Sequence, residues 1–406
     1  MRCSLPILTL SALLAGCGFK VNGSATPADD QPPGDGPSDS DAPHDVGPPP
    51  PDTPEADALC LDHDDFCLRK RITVQPNMVH GGADLHDFPL LIVLLNDNDL
   101  KAAVRSDGND IVFTSDDGTT TLTYDRQSYD PLTGSLVAWV RAPTISSTAP
   151  TDIYLYYGKS VSFDRQDAHG AWNSTYSGVW HLDGDAKDIS GNNNDGTAAG
   201  IAFNSPGHIG ASAKWEQATD RITIGNSSSL DDASATGTIE MWVNFVNPKA
   251  THLQILLSNK ETFKSPSDGF SWATQTDGDF YFYPWVASAG SQDFVLTPAP
   301  FMADKWHFAS VTYNFPTRKV ALYVDGQALT LSVDGATANW TQAANVSDWL
   351  LGSNGDDPAN YFLGSMDELR ISNVARTPGW IQTEYDNQLA PSTFYAVGAQ
   401  TQLTPN

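Results

Sequence analysis

Basic residues are scarce. The 406-residue chain sets 22 Lys and Arg against 49 Asp and Glu, a formal net charge of −27. So acidic a chain repels phosphate backbones, and no basic patch with interleaved aromatics interrupts it, which excludes nucleic acid as a partner. The acidity by itself reports solubility and names no ligand. Cysteine is nearly absent: Cys3, Cys17, Cys60 and Cys67 are all there are. The apolar run at 5–14 is too short to span a bilayer. Missing too are a G-x-S-x-G serine-hydrolase elbow, any nucleotide, haem or flavin motif, and histidine pairs at i, i+4 among the nine histidines.

What the N-terminus does hold is Arg2 followed by that short apolar run, the shape of a signal-peptide core. The run ends in Leu14-Ala15-Gly16-Cys17, which resembles the lipobox of bacterial lipoproteins. The resemblance implies a signal peptide over 1–16, a diacylglyceryl group on Cys17 and, with Gly18 rather than Asp after it, anchoring at the outer membrane or cell surface. The competing reading is an ordinary secretion signal with a chance cysteine. Residues 21–58 contain 10 prolines and 9 acidic residues and no Lys or Arg, so they cannot bury enough apolar surface to offset ordering. The stretch 17–58 therefore reads as a tether. At ~3.1 Å per residue it reaches on the order of 100 Å from the anchor.

Cys3 leaves with the signal peptide and Cys17 takes the lipid, which leaves Cys60 and Cys67. In an exported protein a disulfide is the default, and closing a ring this short stabilises by about 2.5 kcal/mol in the chain-entropy treatment. CLDHDDFC (60–67) also offers two thiols, His63 and three Asp, a set rich enough for zinc. Zinc would need a second ligand pair elsewhere and free thiolates, which an oxidising compartment works against.

From 59 to 160 short apolar runs alternate with turn signals, the pattern of an all-β module. FPLLIVLL (88–95) suits a buried strand, and Asp117-Gly118 splits 110–125 into a hairpin. The ordered set RKRITV, DFPLLIVL, SDGNDIVFTSDDGTT, LVAWVRAP and IYLYYG resembles the bacterial domain of unknown function that commonly precedes laminin-G-like modules. That family brings no established chemistry. The Asp-rich turns at 107–110 and 116–117 read as turns whose side chains bond their own backbone.

From 173 to 400 a second all-β module follows. SGVWHLDGDAKDISGNNNDG (177–196), TIEMWVNF (238–245), KWHFASVTY (305–313), ALYVDGQAL (321–329) and YFLGSMDELRISNVARTPGWIQTEY (361–385) resemble, in this order, a concanavalin A-like (laminin-G-like) jellyroll. The resemblance implies that the first and last of these segments lie side by side. It also makes Trp180, Trp242 and Trp306 packing residues. Trp272, Trp285 and Trp340, with Tyr281 and Tyr283, are the candidates for stacking on sugar rings. Many relatives hold calcium at a sandwich edge, so Asp183, Asp185, Asp188, Asn193 and Asp367 are implied ligands for structural calcium, with Asn192 and Asn194 beside them. Asp188, before the Ser-Gly-Asn turn, leads that set. The plain alternative is that Asp, Asn and Gly are turn formers here. Thr377-Pro378 signals the start of a short helix expected to plug one edge of the sandwich.

The composite expectation is a lipid-anchored surface protein that binds carbohydrate or another surface protein through its jellyroll. A purely architectural protein without a ligand is the alternative. A glycoside hydrolase is disfavoured: the E-x-D-x-x-E strand of jellyroll glucanases is absent, and adjacent Asp367 and Glu368 in a regular strand would point to opposite faces. His181, with no nucleophile in its sequence neighbourhood, is read as a packing residue rather than a base.

Overall fold

The run FPLLIVLL shows most directly how this chain is assembled. In the computed structural model, residues 66–159, 163–259, 269–285, 294–334, 347–355 and 357–403 are described. Within it the strand Leu85–Leu94 is buried along nearly its whole length. One side, with Phe88, Leu90 and Ile92, joins the core of the first module. Leu91, on the other side, packs with Trp139, Trp172, Tyr176 and Val179, a cluster that reaches into the second module. A strand covered on both faces has no use for alternation, and this is why the sequence reads as one continuous apolar run.

The first module has two small sheets. Leu85–Leu94, Ser135–Ile145 and Tyr124–Asp130 form one of three strands. In the other, Leu68–Val74 lies between Thr151–Tyr157 and two strands from the far end of the chain, Tyr395–Val397 and Thr401–Gln402. The last residues thus complete the first module's sheet. A division at residue 400 by sequence places Tyr395–Val397 with the jellyroll and leaves Thr401–Gln402 outside both modules, while the hydrogen bonds of both strands belong to the first module.

The second module is a sandwich of two eight-stranded sheets. Thr236–Phe245 is paired on one side with Trp306–Asn314 and on the other with Gly364–Ser372. Tyr176–Trp180 pairs antiparallel with Gly364–Ser372, setting Leu369 opposite Trp180. The expected meeting of the first and last segments is therefore present. Trp180, Trp215, Met241, Phe270, Trp272 and Ile371 are among the side chains that fill the interior. At the tip of the hairpin joining Lys319–Val324 to Gln327–Ala328, Asp325 and Gly326 both have positive φ (51° and 72°), as the Asp-Gly dipeptide foretold.

The helix Pro378–Leu389 starts as expected, with Thr377 accepting from the Trp380 amide and proline in the first turn. It does more than plug an edge of the sandwich. Trp380 and Ile381 share the first module's core with Trp242, Phe308 and Tyr323, which point out of the sandwich. The helix is the layer between modules. It also covers a free sheet edge: Leu85–Leu94 is the outer strand of its sheet, and its Leu91 N–H and C=O are taken by Asn387 at 2.8 and 3.1 Å. The Val93 N–H and C=O are likewise met by the Tyr395 hydroxyl, at 2.7 and 3.2 Å. A buried edge must have such partners, since each unsatisfied backbone group costs about 1–3 kcal/mol.

Asn387→Leu keeps the side chain's size and removes both partners of Leu91. It is expected to lower unfolding free energy by about 2–4 kcal/mol, measured by urea titration. A change below about 0.5 kcal/mol, within the range of an ordinary surface substitution, would show that the edge does not depend on this clamp.

Candidate functional site

The closing strand carries its charges where the modules meet. Met366, Leu369 and Ile371 enter the sandwich interior. Regular alternation would then put Glu368 there as well. Instead the register slips opposite Glu240–Trp242, and Glu368 has φ +53°. This bulge adds one residue to the strand. Asp367 and Glu368 consequently both face the intermodule layer, where each is essentially inaccessible to solvent. The expectation of opposite faces is corrected here, and the extra residue is the reason.

Glu368 accepts from Gln127 Nε2 (3.0 Å) of the first module, meets His181 Nδ1 (2.9 Å) and pairs with Arg370 (3.0 Å). The other ring nitrogen of His181 meets Asp125 at 2.8 Å, and Trp172 Nε1 donates to the same Asp125 oxygen. Trp139 Nε1 donates to Gln127 Oε1. Arg370 also bonds Glu384 of the helix, while its guanidinium carbon lies 4.1 Å from the Trp139 ring centre and 5.0 Å from that of Trp172. Glu384 in turn accepts from Trp380 Nε1 at 2.9 Å.

Protonation balances this cluster. Burial pushes Asp367 well above the usual carboxylate range, with Glu368 and Asp183 adding to the effect. Burial, then Glu384, does the same to Glu240. For His181 burial opposes the charged form, but Glu368 and Asp125 outweigh it and hold the imidazolium well above the ordinary histidine range. Arg370 and His181 thus lie within ion-pair distance of Asp125, Glu368 and Glu384, while burial favours the protonated forms of Asp367 and Glu240. Chemically it holds a histidine between two acids, yet both ring nitrogens are taken, and the groups seal an interface.

The residues proposed for calcium divide into two groups. Asp183 joins the cluster, accepting from Ala211 N–H (3.0 Å) and Gln127 Nε2 (2.9 Å). Asp367 accepts from the His208 and Ile209 amides at 2.8 and 2.9 Å, and its Oδ1 is buried without a partner. Asp188 instead spends its carboxylate on the amides of Val179, Ser190 and Asn194, holding its own loop. Asp185 accepts from the Lys187 amide at the surface, and exposed Asn193 has φ +59°. Among the described residues no group of three His, Cys, Asp or Glu side chains gathers to hold a metal ion.

The aromatic candidates are also redistributed. Trp272 is 0 % exposed and packs against Phe280 inside the sandwich, so it has no ring face left for a sugar. A bulge between Ile255 and Leu257 lies opposite it. Tyr281 and Tyr283, two residues apart on one strand, share the outer face of the second sheet with Ile255 and Ala273, and Tyr283 is 3 % exposed. The Trp285 side chain and Trp340 lie outside the described residues, as do Cys17 and Cys60; Cys67 is half-buried against the first module's core.

Sequence reading missed the His181, Asp125, Glu368 and Arg370 cluster. The charged pair Glu368 and Arg370 inside an apolar closing strand was its one visible signal. It also missed an open groove of about 610 Å³ beside Lys319–Val324. The groove runs from Thr312 and Asn314 across Ala321 and Tyr323 to Arg376 and Pro378.

Comparison with known proteins divides the chain in a corresponding way. Residues 216–382 match the Laminin_G_3 family of the concanavalin A-like lectin/glucanases superfamily. Residues 107–187 match a domain of unknown function, DUF2341. That second match spans Asp125, Trp139, Trp172 and His181, and so runs on into the jellyroll's opening strand. Among solved structures, domain 4 of a GH43 extracellular arabinanase from Geobacillus stearothermophilus, in complex with arabinotriose, is 21% identical. That match has a TM-score of 0.41 and covers 51% of this chain and 97% of that one. The binding domain of Paraclostridial Mosquitocidal Protein 1 is 17% identical at a TM-score of 0.42, with 52% of each chain covered. A Trypanosoma rangeli sialidase is 11% identical at a TM-score of 0.39, with 60% of this chain and 41% of that one covered. This chain therefore spans about half the length of the mosquitocidal binding domain. No curated protein matches.

The cluster predicts how stability depends on pH. His181, Asp367 and Glu240 all hold protons in the folded state that the unfolded chain has released. For His181 the contribution is complete below the ordinary histidine value of about 6.5 and is lost as pH rises through its higher folded value. For the two carboxylates the decline starts near pH 4. The melting temperature is expected to fall steadily from pH 5.5 to pH 9, and the His181 ring to remain imidazolium at pH 7.5 by NMR. A melting temperature that climbs across this window would contradict the assignment.

Proposed function

We propose that this protein is a lipid-anchored surface protein that binds carbohydrate through its jellyroll without cleaving it. The observation that carries the reading is the lectin-type sandwich over 216–382, opening on a groove whose apolar lining includes Val320, Ala321, Tyr323 and Leu331. An apolar floor with polar groups at its rim suits the face of a pyranose. Among the described residues the groove is lined by no Asp or Glu, and a glycosidase needs a pair of carboxylates flanking its bond, so binding is the chemistry this lining favours.

Anchoring rests on the Leu14-Ala15-Gly16-Cys17 sequence, and the tether 17–58 would carry the folded part away from the lipid headgroups. A Cys60 to Cys67 disulfide would staple the point where the tether meets the strand Leu68–Val74. Calcium, if the protein takes it up, would draw on Asp183 and Asp367, where the bare Oδ1 of Asp367 is the one donor waiting. Both carboxyls would have to ionise to hold it.

A glycan array probed with the full chain, with and without calcium, tests the binding reading. Reproducible binding that free sugar competes away is expected, and Ala321→Trp, which fills the groove, should weaken it by about tenfold or more at unchanged melting temperature. Silence across all glycans would favour an architectural role instead, one consistent with two modules joined by a shared core.

Anchoring is tested separately. Wild-type protein is expected in the detergent phase on Triton X-114 partition and Cys17→Ser in the aqueous phase. Equal partition of the two would remove the lipid from this reading.

A further inference from the structure

The charge of the groove runs against that of the chain. With 49 Asp and Glu in the sequence, its lining among the described residues includes none, while Arg318, Lys319 and Arg376 all line it. Several basic side chains elsewhere are tied to acids within ion-pair distance: Lys70 to Asp97 and Asp99, Arg126 to Asp164, Arg141 to Asp87, Lys214 to Glu216. Among the described residues Lys319 and Arg376 make no salt bridge, and Lys319 is exposed.

Arg376 is held in place. Its guanidinium stacks at 4.0 Å over Trp380 and 5.1 Å over Tyr176, and one nitrogen donates to Thr175 Oγ1 at 2.8 Å. Of the buried acids, Glu240 is within Coulombic reach of it, with burial favouring that carboxyl's protonated form, and Glu384 is engaged by Arg370. Arg376 is half-buried and lines the groove. Arg318 sits at φ +54° after the turn Phe315–Thr317. Glycine would take that conformation without the steric cost of a side chain, yet the chain keeps an exposed arginine there. Among the described residues, 319–321 pair only toward Trp306–Asn314, which leaves the backbone groups on the outer edge of this strand beside the cations.

We propose that this groove binds a carboxylate-bearing glycan, a polyuronate-like chain whose rings lie on the apolar floor and whose carboxylates meet Arg318, Lys319 and Arg376. The inference rests on the carbohydrate reading above and adds the charge of the ligand to it. Guanidinium and ammonium groups at a partly apolar rim recognise carboxylates through charge-assisted hydrogen bonds, and such recognition weakens with added salt.

The test is isothermal titration of the full chain with polygalacturonate, with the same polymer after carboxyl reduction, and with poly-glutamate. Binding to polygalacturonate is expected, and it should weaken by about tenfold or more on carboxyl reduction, in the Arg318→Gly/Lys319→Ser variant, and in Lys319→Ser alone to a lesser extent. The glycine relieves the positive φ, and the melting temperature of each variant, read beside its affinity, separates lost binding from lost folding. Equal affinity for the carboxyl-reduced polymer would overturn the charge preference while leaving carbohydrate binding standing. Binding to poly-glutamate but to no polysaccharide would overturn both in favour of an acidic protein partner. Failure to bind polygalacturonate, when neutral glycans bind, would overturn the inference alone.

Discussion

The structure depends on one buried cation. Arg370 lies on the closing strand of the jellyroll, fully inaccessible to solvent, between Glu368 of its own strand and Glu384 of the C-terminal helix, with two indoles of the preceding segments against its plane. Taking such a charge out of water costs several kcal/mol, which only near-complete pairing offsets. Guanidinium suits the position because it is planar, cannot shed its proton, and both forks and stacks. The strand, the helix and the first module must therefore be placed together for any of them to satisfy it.

That requirement accounts for the layered interior. Trp242 and Phe308 leave the sandwich core to meet Phe88, Trp380 and Tyr395 from the first module and the C-terminal segment. Trp242 finds the side-chain carbonyl of Gln388 for its indole N–H at 2.7 Å. The polar cluster and the apolar layer are complementary. Apolar burial supplies most of the attraction between modules, while the polar cluster fixes their register, since its paired donors and acceptors meet in only one arrangement. The chain ends by returning to its beginning, with Ile72 opposite Val397, so the first sheet is complete only after the jellyroll has been laid down.

The same constraint separates the interior from the surface available for recognition. The loop carboxylates and the large aromatics that drew attention in the sequence are mostly committed to the interior: Asp188 to its own loop, Asp183 and Asp367 to the cluster, Trp272 to the core. The groove beside Lys319–Val324 is lined in part by residues that carry no motif, Thr317, Arg318 and Lys319 after a short turn and Ala375 and Arg376 ahead of a helix. Their side chains converge only because the closing strand, although distant in sequence, lies in the same sheet as Lys319–Val324.

The amino-acid sequence determined the all-β class, the Asp325-Gly326 hairpin and the Thr377-capped helix, because each follows from local chemistry: alternation, turn geometry, capping. The jellyroll with its first and last strands paired was legible through resemblance to a known family, not through local chemistry. The sequence also marked FPLLIVLL as a buried strand. Tertiary structure alone decided three things. The side of the closing strand on which Glu368 emerges was set by a bulge, where an extra residue at positive φ overrides alternation. The helix became the seam between modules because its buried face matches a partner sheet with a free edge. The final strands joined the first module because hydrogen bonding ignores sequence distance. A pattern of residues states which faces are apolar; which surface covers each of them is a property of the whole packed chain.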